Sequence, residues 1–264
     1  MTLAYDDSDP TRPTGSSTTR SKPVVLLLHA GVCDRRMWQT QVESLAPTYR
    51  VITPDLPGFG DSPLEPGEFS TSGELVELLD TLGIDQAAVV GASYGGLVAL
   101  ELAHVAPQRV TCLVLLSTAL QGLDSTAAVD AFGEEEERLV LAGDLDGAVE
   151  LNVSTWLGPD ADDAARASVR QMQRRAFDVQ VPADEWPDPP HPVSVEPDLS
   201  AIDVPTLVVA GGHDLDFFQD VARHVAASIT EAKLVDLPWA GHLPTLERPD
   251  ETAALVADFL NQRA

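Results

Sequence analysis

The sequence predicts an α/β fold: a mostly parallel, twisted sheet with helices on both faces. Two observations predict it. Short, wholly apolar runs recur along the chain, and stretches with helical amphipathic spacing separate them. An apolar run of roughly 4–8 residues bounded by turn signals marks a strand covered on both faces, which is how strands sit in parallel sheets flanked by helices.

The strand runs are residues 24–28, 51–53, 87–90, 110–116 and 206–210, with 234–237 a weaker member of the set. The helical patterns are 37–45, 74–82, 97–106, 217–228 and 251–259. Two segments break the alternation. From about residue 121 to 180 the pattern is helical and acidic, with no strand run. From 181 to 199 prolines recur at positions 182, 187, 189, 190, 192 and 197, which predicts an extended tether that is neither helix nor central strand. The chain thus divides into a core, residues 1–120 and 200–264, and a helical cap with a proline-rich return, residues 121–199, inserted after the 110–116 strand run. Such an insertion lies over the carboxyl ends of the strands, where open α/β sheets bind ligands. Residues 6–22, rich in Ser, Thr, Pro and Asp, predict a mobile loop.

Composition narrows the function classes. The 264 residues are 44% apolar, enough for a real core, so a disordered chain is excluded. No apolar stretch approaches the roughly 20 residues a membrane span needs, and the first residues lack a secretory signal. Cys33 and Cys112 form neither a disulfide framework nor a metal pattern, so a reduced, cytoplasmic protein without a metal is expected. The net charge of −26 repels nucleic acid and anionic membranes, so neither is expected as a partner. The run Glu134 to Glu137 reads as a solvated helix face.

The strongest chemical signal is Gly91-Ala92-Ser93-Tyr94-Gly95-Gly96, directly after one strand run and before a helical pattern. In that context G-x-S-x-G is a nucleophile elbow, with Ser93 exposed at the apex of a strained turn. Small residues at 91 and 95 let neighbouring backbone pass, and the helix start offers its amides to an oxyanion. A serine hydroxyl needs a base, and the base needs an orienting acid. Asp214 follows the 206–210 run in Gly211-Gly212-His213-Asp214, and His242 follows the 234–237 run in Ala240-Gly241-His242. The order Ser93, Asp214, His242 matches one hydrolase architecture and neither common protease order. Asp216 and Asp124 remain alternative acids, Asp124 because it lies just past the 110–116 run. His213 reads as incidental and Cys33 as structural.

With these motifs the chain resembles the α/β-hydrolase superfamily from Val24 to Phe259. The turn Asp55-Leu56-Pro57-Gly58-Phe59-Gly60-Asp61-Ser62 and the segment Leu28-His29-Ala30-Gly31, where relatives carry His-Gly, add to the likeness. The resemblance implies Ser93 as nucleophile, His242 as general acid/base, Asp214 as orienting acid, and the amides of Gly31 and Tyr94 as oxyanion hole, with no cofactor. His29 would fix the oxyanion loop, and Ala30 in place of glycine puts that loop's conformation in question, because alanine resists positive φ. A serine at the elbow disfavours dehalogenase and epoxide hydrolase chemistry, which needs a carboxylate there. The chain looks most like small-molecule esterases and enol-lactonases, with carbon–carbon hydrolases, cofactor-free perhydrolases and non-enzymatic receptors of the fold as alternatives. Val32, Met37, Trp38 and Trp156 are candidate pocket residues, with Tyr94 and Trp186 beside them. Arg166, Arg170, Arg174 and Arg175 recur at helical spacing but do not by themselves argue for an anionic substrate, since acids can pair with them. Relatives begin with an antiparallel strand pair; here residues 2–5 supply at most the second, so the N-terminal edge strand is expected to be missing and the sheet to fall short of eight strands.

Overall fold

The computed structural model describes residues 2–10 and 22–263. Its main sheet has seven strands among the described residues: β1 (Tyr5–Asp7), β2 (Val24–Leu28), β3 (Arg50–Pro54), β5 (Ala87–Ala92), β6 (Val110–Leu116), β8 (Thr206–Gly211) and β9 (Ala232–Leu237), in the order β1-β3-β2-β5-β6-β8-β9. Only β1 runs antiparallel to its neighbour, β3. The parallel strands form because β-branched and leucine side chains bury on both faces. Val25 and Leu27 enter one apolar cluster, Leu26 and Leu28 the other, and β6 divides in the same way.

Around the sheet lie α1 (Gln39–Leu45), α2 (Thr71–Thr81), α3 (Tyr94–Val105), α7 (Asp216–Ser228), the short α8 (Pro244–Glu247) and α9 (Pro249–Asn261). Helices α1 and α9 supply Leu45, Val256 and Phe259 to one cluster; α2 and α3 supply Leu75, Leu79, Val98 and Leu102 to the other. Between β6 and β8 come α4 (Ala127–Leu141), α5 (Leu145–Trp156) and α6 (Asp163–Ala183). Asp144 and Asp162 cap α5 and α6 by accepting from the amides of Gly147 and Ala165.

Several expectations are corrected in detail. The N-terminal strand is Tyr5–Asp7 rather than residues 2–5, so Asp6 and Asp7 belong to the sheet and not to a loop. Arg50 holds Asp7 at 2.7 Å there, and Ser8 Oγ accepts from Val51 N. The rest of the predicted loop, residues 11–21, lies outside the described residues. The helix expected over 37–45 opens with a 3-10 turn, Arg35–Trp38, capped by Asp34. Pro182 does not stop α6, which runs one residue past it to Ala183. In the last turn a proline costs little more than one hydrogen bond, the one its absent N–H would give the carbonyl four residues back. Within the tether Pro190–Pro192 forms β7, paired in parallel with β4 (Gly67–Phe69). This two-stranded patch suits proline because every strand in it is an edge. Glu136, third in the acidic run, turns inward against Asn152 of α5, and burial pushes its carboxyl above the usual range.

The tether returns across α3 through a buried carboxylate. Glu101 accepts from Ser194 Oγ and from the Val195 amide, and burial raises its pKa. A carboxyl whose native pKa exceeds its unfolded one binds its proton more tightly when folded, so stability falls as pH rises from about 4.3 through the native value. Glu101→Gln stays neutral and keeps an oxygen acceptor. Its urea midpoint, compared with wild type from about pH 4 to 7, is expected to gain on wild type as pH rises.

Candidate active site

Ser93 sits between β5 and α3 at φ 50° and ψ −114°, one of two non-glycine residues with positive φ among those described. A conformation of this kind costs about 1–3 kcal/mol and persists only where its surroundings over-determine it. Here they do. Ser93 N donates to Leu116 O at 2.9 Å, and Ser93 O accepts from Gly96, Leu97 and Ala119 amides at 2.9, 3.1 and 3.0 Å. The flanking glycines are obligatory by contact: a Cβ on Gly91 would run into the Gly95 carbonyl, and a Cβ on Gly95 into that of Leu28. Ser93 itself is half-buried.

Beside it lies the loop after β2. A Cβ on Gly31 would stand 3.5 Å from Tyr94 Cβ, so the two residues expected to supply the oxyanion hole are neighbours. Their amides find no hydrogen-bond acceptor among the described residues. His29 braces this loop: Nδ1–H donates to Ala30 O at 2.8 Å, and Nε2 accepts from Leu56 N at 2.9 Å. Burial lowers its pKa, in keeping with a neutral ring that must accept at Nε2. Ala30 does not have positive φ, so alanine is no handicap there.

The same loop is anchored by a charged hub that sequence reasoning missed. Arg35 joins the fully buried Asp55, Asp61 at 2.8 Å and Asp6 at 3.1 Å. Asp55 also accepts from the amides of Arg35 and Asp61, each at 2.8 Å. Asp55 thus ties the loop after β2 to the 55–62 turn.

The histidine and acid meet. His242 Nδ1–H donates to Asp214 Oδ2 at 2.7 Å, and the two side chains are 3% and 2% exposed. Asp214 Oδ1 takes the Leu215 amide at 2.8 Å, so both carboxylate oxygens are engaged. The bond to Asp214 fixes the ring with Nε2 as its free nitrogen. The supporting loops are laced together by backbone: Gly212 N to Leu237 O at 2.9 Å and His213 N to Ala240 O at 2.8 Å. Only glycine fits at 211, whose Cβ would strike the Gly241 carbonyl. Asp124 is exposed, and Asp216 is exposed and bound to Thr126 instead. Since Ser93, Asp214 and His242 each follow the carboxyl end of a parallel strand, all three lie along one edge of the sheet.

The insertion reaches this edge through Trp156. Its indole lies 4.7 Å from the His242 ring, its carbonyl accepts the His242 amide at 2.9 Å, and Nε1 donates to Asn152 at 2.8 Å. Phe218 packs on the other aromatic contact of His242, centroids 4.3 Å apart. Met37 and Trp38 are buried in the core below the loop, with Met37 Sδ accepting from Ala30 N at 3.4 Å. Val32 is half-buried against the same cluster, and Trp186 is half-buried in the tether. Cys33 is buried, which pushes its thiol well up and leaves it unreactive. A cleft of about 780 Å³ between residues 34–36 and 60–61 on one side and α5 and α6 on the other is lined by five arginines and five carboxylates, and includes none of Ser93, Asp214 and His242. Its charges cancel: Arg170 pairs with Glu150, and Arg174 with Asp146 and Asp178.

Residues 23–249 match the family of the alpha/beta hydrolase fold. The chain belongs to that family. This α/β hydrolase is 31% identical over 252 residues to the 2-hydroxymuconate semialdehyde hydrolase of Pseudomonas sp. (strain CF600), covering 89% of this chain and 86% of the relative. It is 31% identical over 255 residues to a pimeloyl-[acyl-carrier protein] methyl ester esterase of Neisseria meningitidis, covering 89% and 93%. Among solved structures it is similar to the enol-lactonase of Burkholderia xenovorans LB400, with a TM-score of 0.77, 26% identity and coverage of 98% and 96%. Among the described residues of this α/β hydrolase, no group of side chains is arranged to hold a metal ion, and no helix is long and apolar enough to cross a membrane.

The hub generates a stability prediction. Arg35→Ala strips the cation from a fully buried carboxylate, and removing one partner of a buried pair costs about 3 kcal/mol. Guanidinium unfolding of wild type and variant at neutral pH measures it. A change near zero would show that the amides alone hold Asp55.

Proposed function

We propose that the chain is a serine hydrolase that cleaves a small carboxylic ester or lactone through an acyl-enzyme on Ser93. The observation that carries this reading is the buried His242–Asp214 pair at 2.7 Å, set on the sheet edge that also presents the strained Ser93. Ser93 Oγ attacks the carbonyl carbon while His242 Nε2 takes its proton, and Asp214 steadies the imidazolium. The tetrahedral oxyanion falls to the Gly31 and Tyr94 amides; one such donor is worth about 10²–10³ in turnover. The C–O bond then breaks, and the alcohol departs with the proton from His242. Water, deprotonated by the same nitrogen, attacks the acyl carbon and frees the acid with Ser93 restored. A lactone follows the same course, its alcohol remaining attached to its acid. The segment over residues 121–199 acts as a cap, with Trp156 as the cap residue that walls the pocket beside the histidine.

The names of the methyl ester esterase and the enol-lactonase support ester or lactone chemistry for this chain. A second reading keeps the three residues and breaks a carbon–carbon bond. It is favoured by the 31% identity to a hydrolase of 2-hydroxymuconate semialdehyde, whose named substrate is neither ester nor lactone.

Hydrolysis of a short-chain chromogenic ester tests the first reading. Ser93→Ala is expected to fall to background and to lose fluorophosphonate labelling; equal activity in both proteins would remove Ser93 from the mechanism. Asp214→Asn is expected to lose about 10⁴ in kcat, while Asp124→Asn matches wild type. The reverse pair of results would move the acid to Asp124. Labelling of Ser93 without turnover on a panel of esters and lactones would favour the carbon–carbon reading.

A further inference from the structure

The loop that carries His242 is fastened to the insertion by a carboxylate no step of that chemistry uses. Glu247, the last residue of α8, accepts from the Gly241 amide at 2.9 and 3.1 Å and from the Leu243 amide at 3.2 Å, the residues on either side of His242. The Gly158 amide, just beyond α5, faces the same carboxylate. The amide between, that of His242, is bound by the Trp156 carbonyl of α5. All three consecutive amides of the loop thus have fixed acceptors, and each acceptor either sits in the insertion or faces an amide of it. The two backbones touch: a Cβ on Gly158 would stand 2.8 Å from Gly241 N, and one on Gly241 would strike Gly158 N. Burial pushes the Glu247 carboxyl above its ordinary range while the amides of Gly241, Leu243 and Gly158 pull it back, so its hydrogen bonds work against its own desolvation.

We propose that Glu247 is a positioning residue for His242, clamping the histidine loop to the end of α5 so that the imidazole is placed by the insertion as well as by the sheet. The proposal rests on the serine-hydrolase reading for its effect on turnover, but not for its effect on the His242–Asp214 bond. Backbone amides on both sides of the histidine converge on one side chain, so loss of that side chain releases the loop at two points at once. A glutamine in its place has one acceptor oxygen, and turns an NH₂ donor toward amides that are themselves donors.

The test compares wild type, Glu247→Gln and Gly158→Ala, which keeps the carboxylate and inserts a methyl group from the insertion's side. Three quantities are read: the rate of fluorophosphonate labelling at Ser93, kcat and KM on a chromogenic ester, and the low-field proton resonance of the His242 Nδ1–H bonded to Asp214. Glu247→Gln is expected to lower kcat and the labelling rate by about 10²-fold, the scale of a misplaced catalytic group. KM should stay within a factor of about 2, and the low-field resonance should broaden or vanish. Gly158→Ala is expected to act in the same direction, and it carries the test if Glu247→Gln does not fold. A variant that loses thermal stability but keeps the wild-type kcat, labelling rate and resonance overturns the proposal. Should wild type fail to label while the resonance still depends on Glu247, the hydrolase reading falls and the positioning role stands.

Discussion

The peptide at Ser93 is held where a side chain rarely goes, at φ 50° and ψ −114°, and the geometry of the neighbourhood follows from that constraint. A strand that must become a helix within one residue leaves no room for a Cβ at Gly91 or Gly95. The strain is offset by four backbone hydrogen bonds at Ser93, three of them to its single carbonyl. The tight reversal also brings the Gly95 amide onto the His29 carbonyl at 3.1 Å, which docks the loop after β2 against the start of α3. Turn, helix start and the loop after β2 are therefore one unit, and a change to any glycine in it is felt by all three.

A second unit is assembled from the C-terminal third of the chain. Asp214 and His242 arrive on separate loops, and glycine again permits the crossing, at 211 and 212. The aromatic contacts of Trp156 and Phe218 then enclose the imidazole in apolar surroundings, where a hydrogen-bonded carboxylate is worth more than it is in water. The polar cost is met locally: both Asp214 oxygens and the flanking amides have partners. The large acidic excess plays little part here. Most of it lies at the surface, where Arg170 and Arg174 of α6 are absorbed into exposed pairs that solvent screens.

Most of the fold was legible because burial on two faces writes itself as unbroken apolar runs. Residues 24–28 and 110–116 were placed to the residue, and the remaining strands of the parallel sheet within two. The N-terminal strand was expected over residues 2–5 but lies at Tyr5–Asp7 for the opposite reason: it is an edge held by Arg50 and Ser8, and its side chains carry no apolar pattern. Likewise the β4–β7 pair is proline-rich and exposed, so no periodicity betrays it. The strained turn at Ser93 and the meeting of His242 with Asp214 were legible because each residue follows a strand in a glycine-marked turn. What the chain did not disclose was which of its 42 acidic residues turn inward. Glu101, Glu136 and Glu247 each look like surface carboxylates in sequence; only the packing of the tether, α5 and the histidine loop makes Glu101 a buried acceptor and the other two half-buried ones. The Arg35–Asp55 hub was hidden in the same way, since its partners lie twenty residues apart and belong to separate loops.

The most direct measurement is rapid-quench mass spectrometry of the enzyme during turnover of a slowly deacylating ester. Covalent catalysis at the elbow predicts a transient acyl adduct, confined to the peptide that contains Ser93, with an initial burst of alcohol stoichiometric with enzyme. Steady product formation with no burst and no adduct, or an adduct on any other residue, would contradict it.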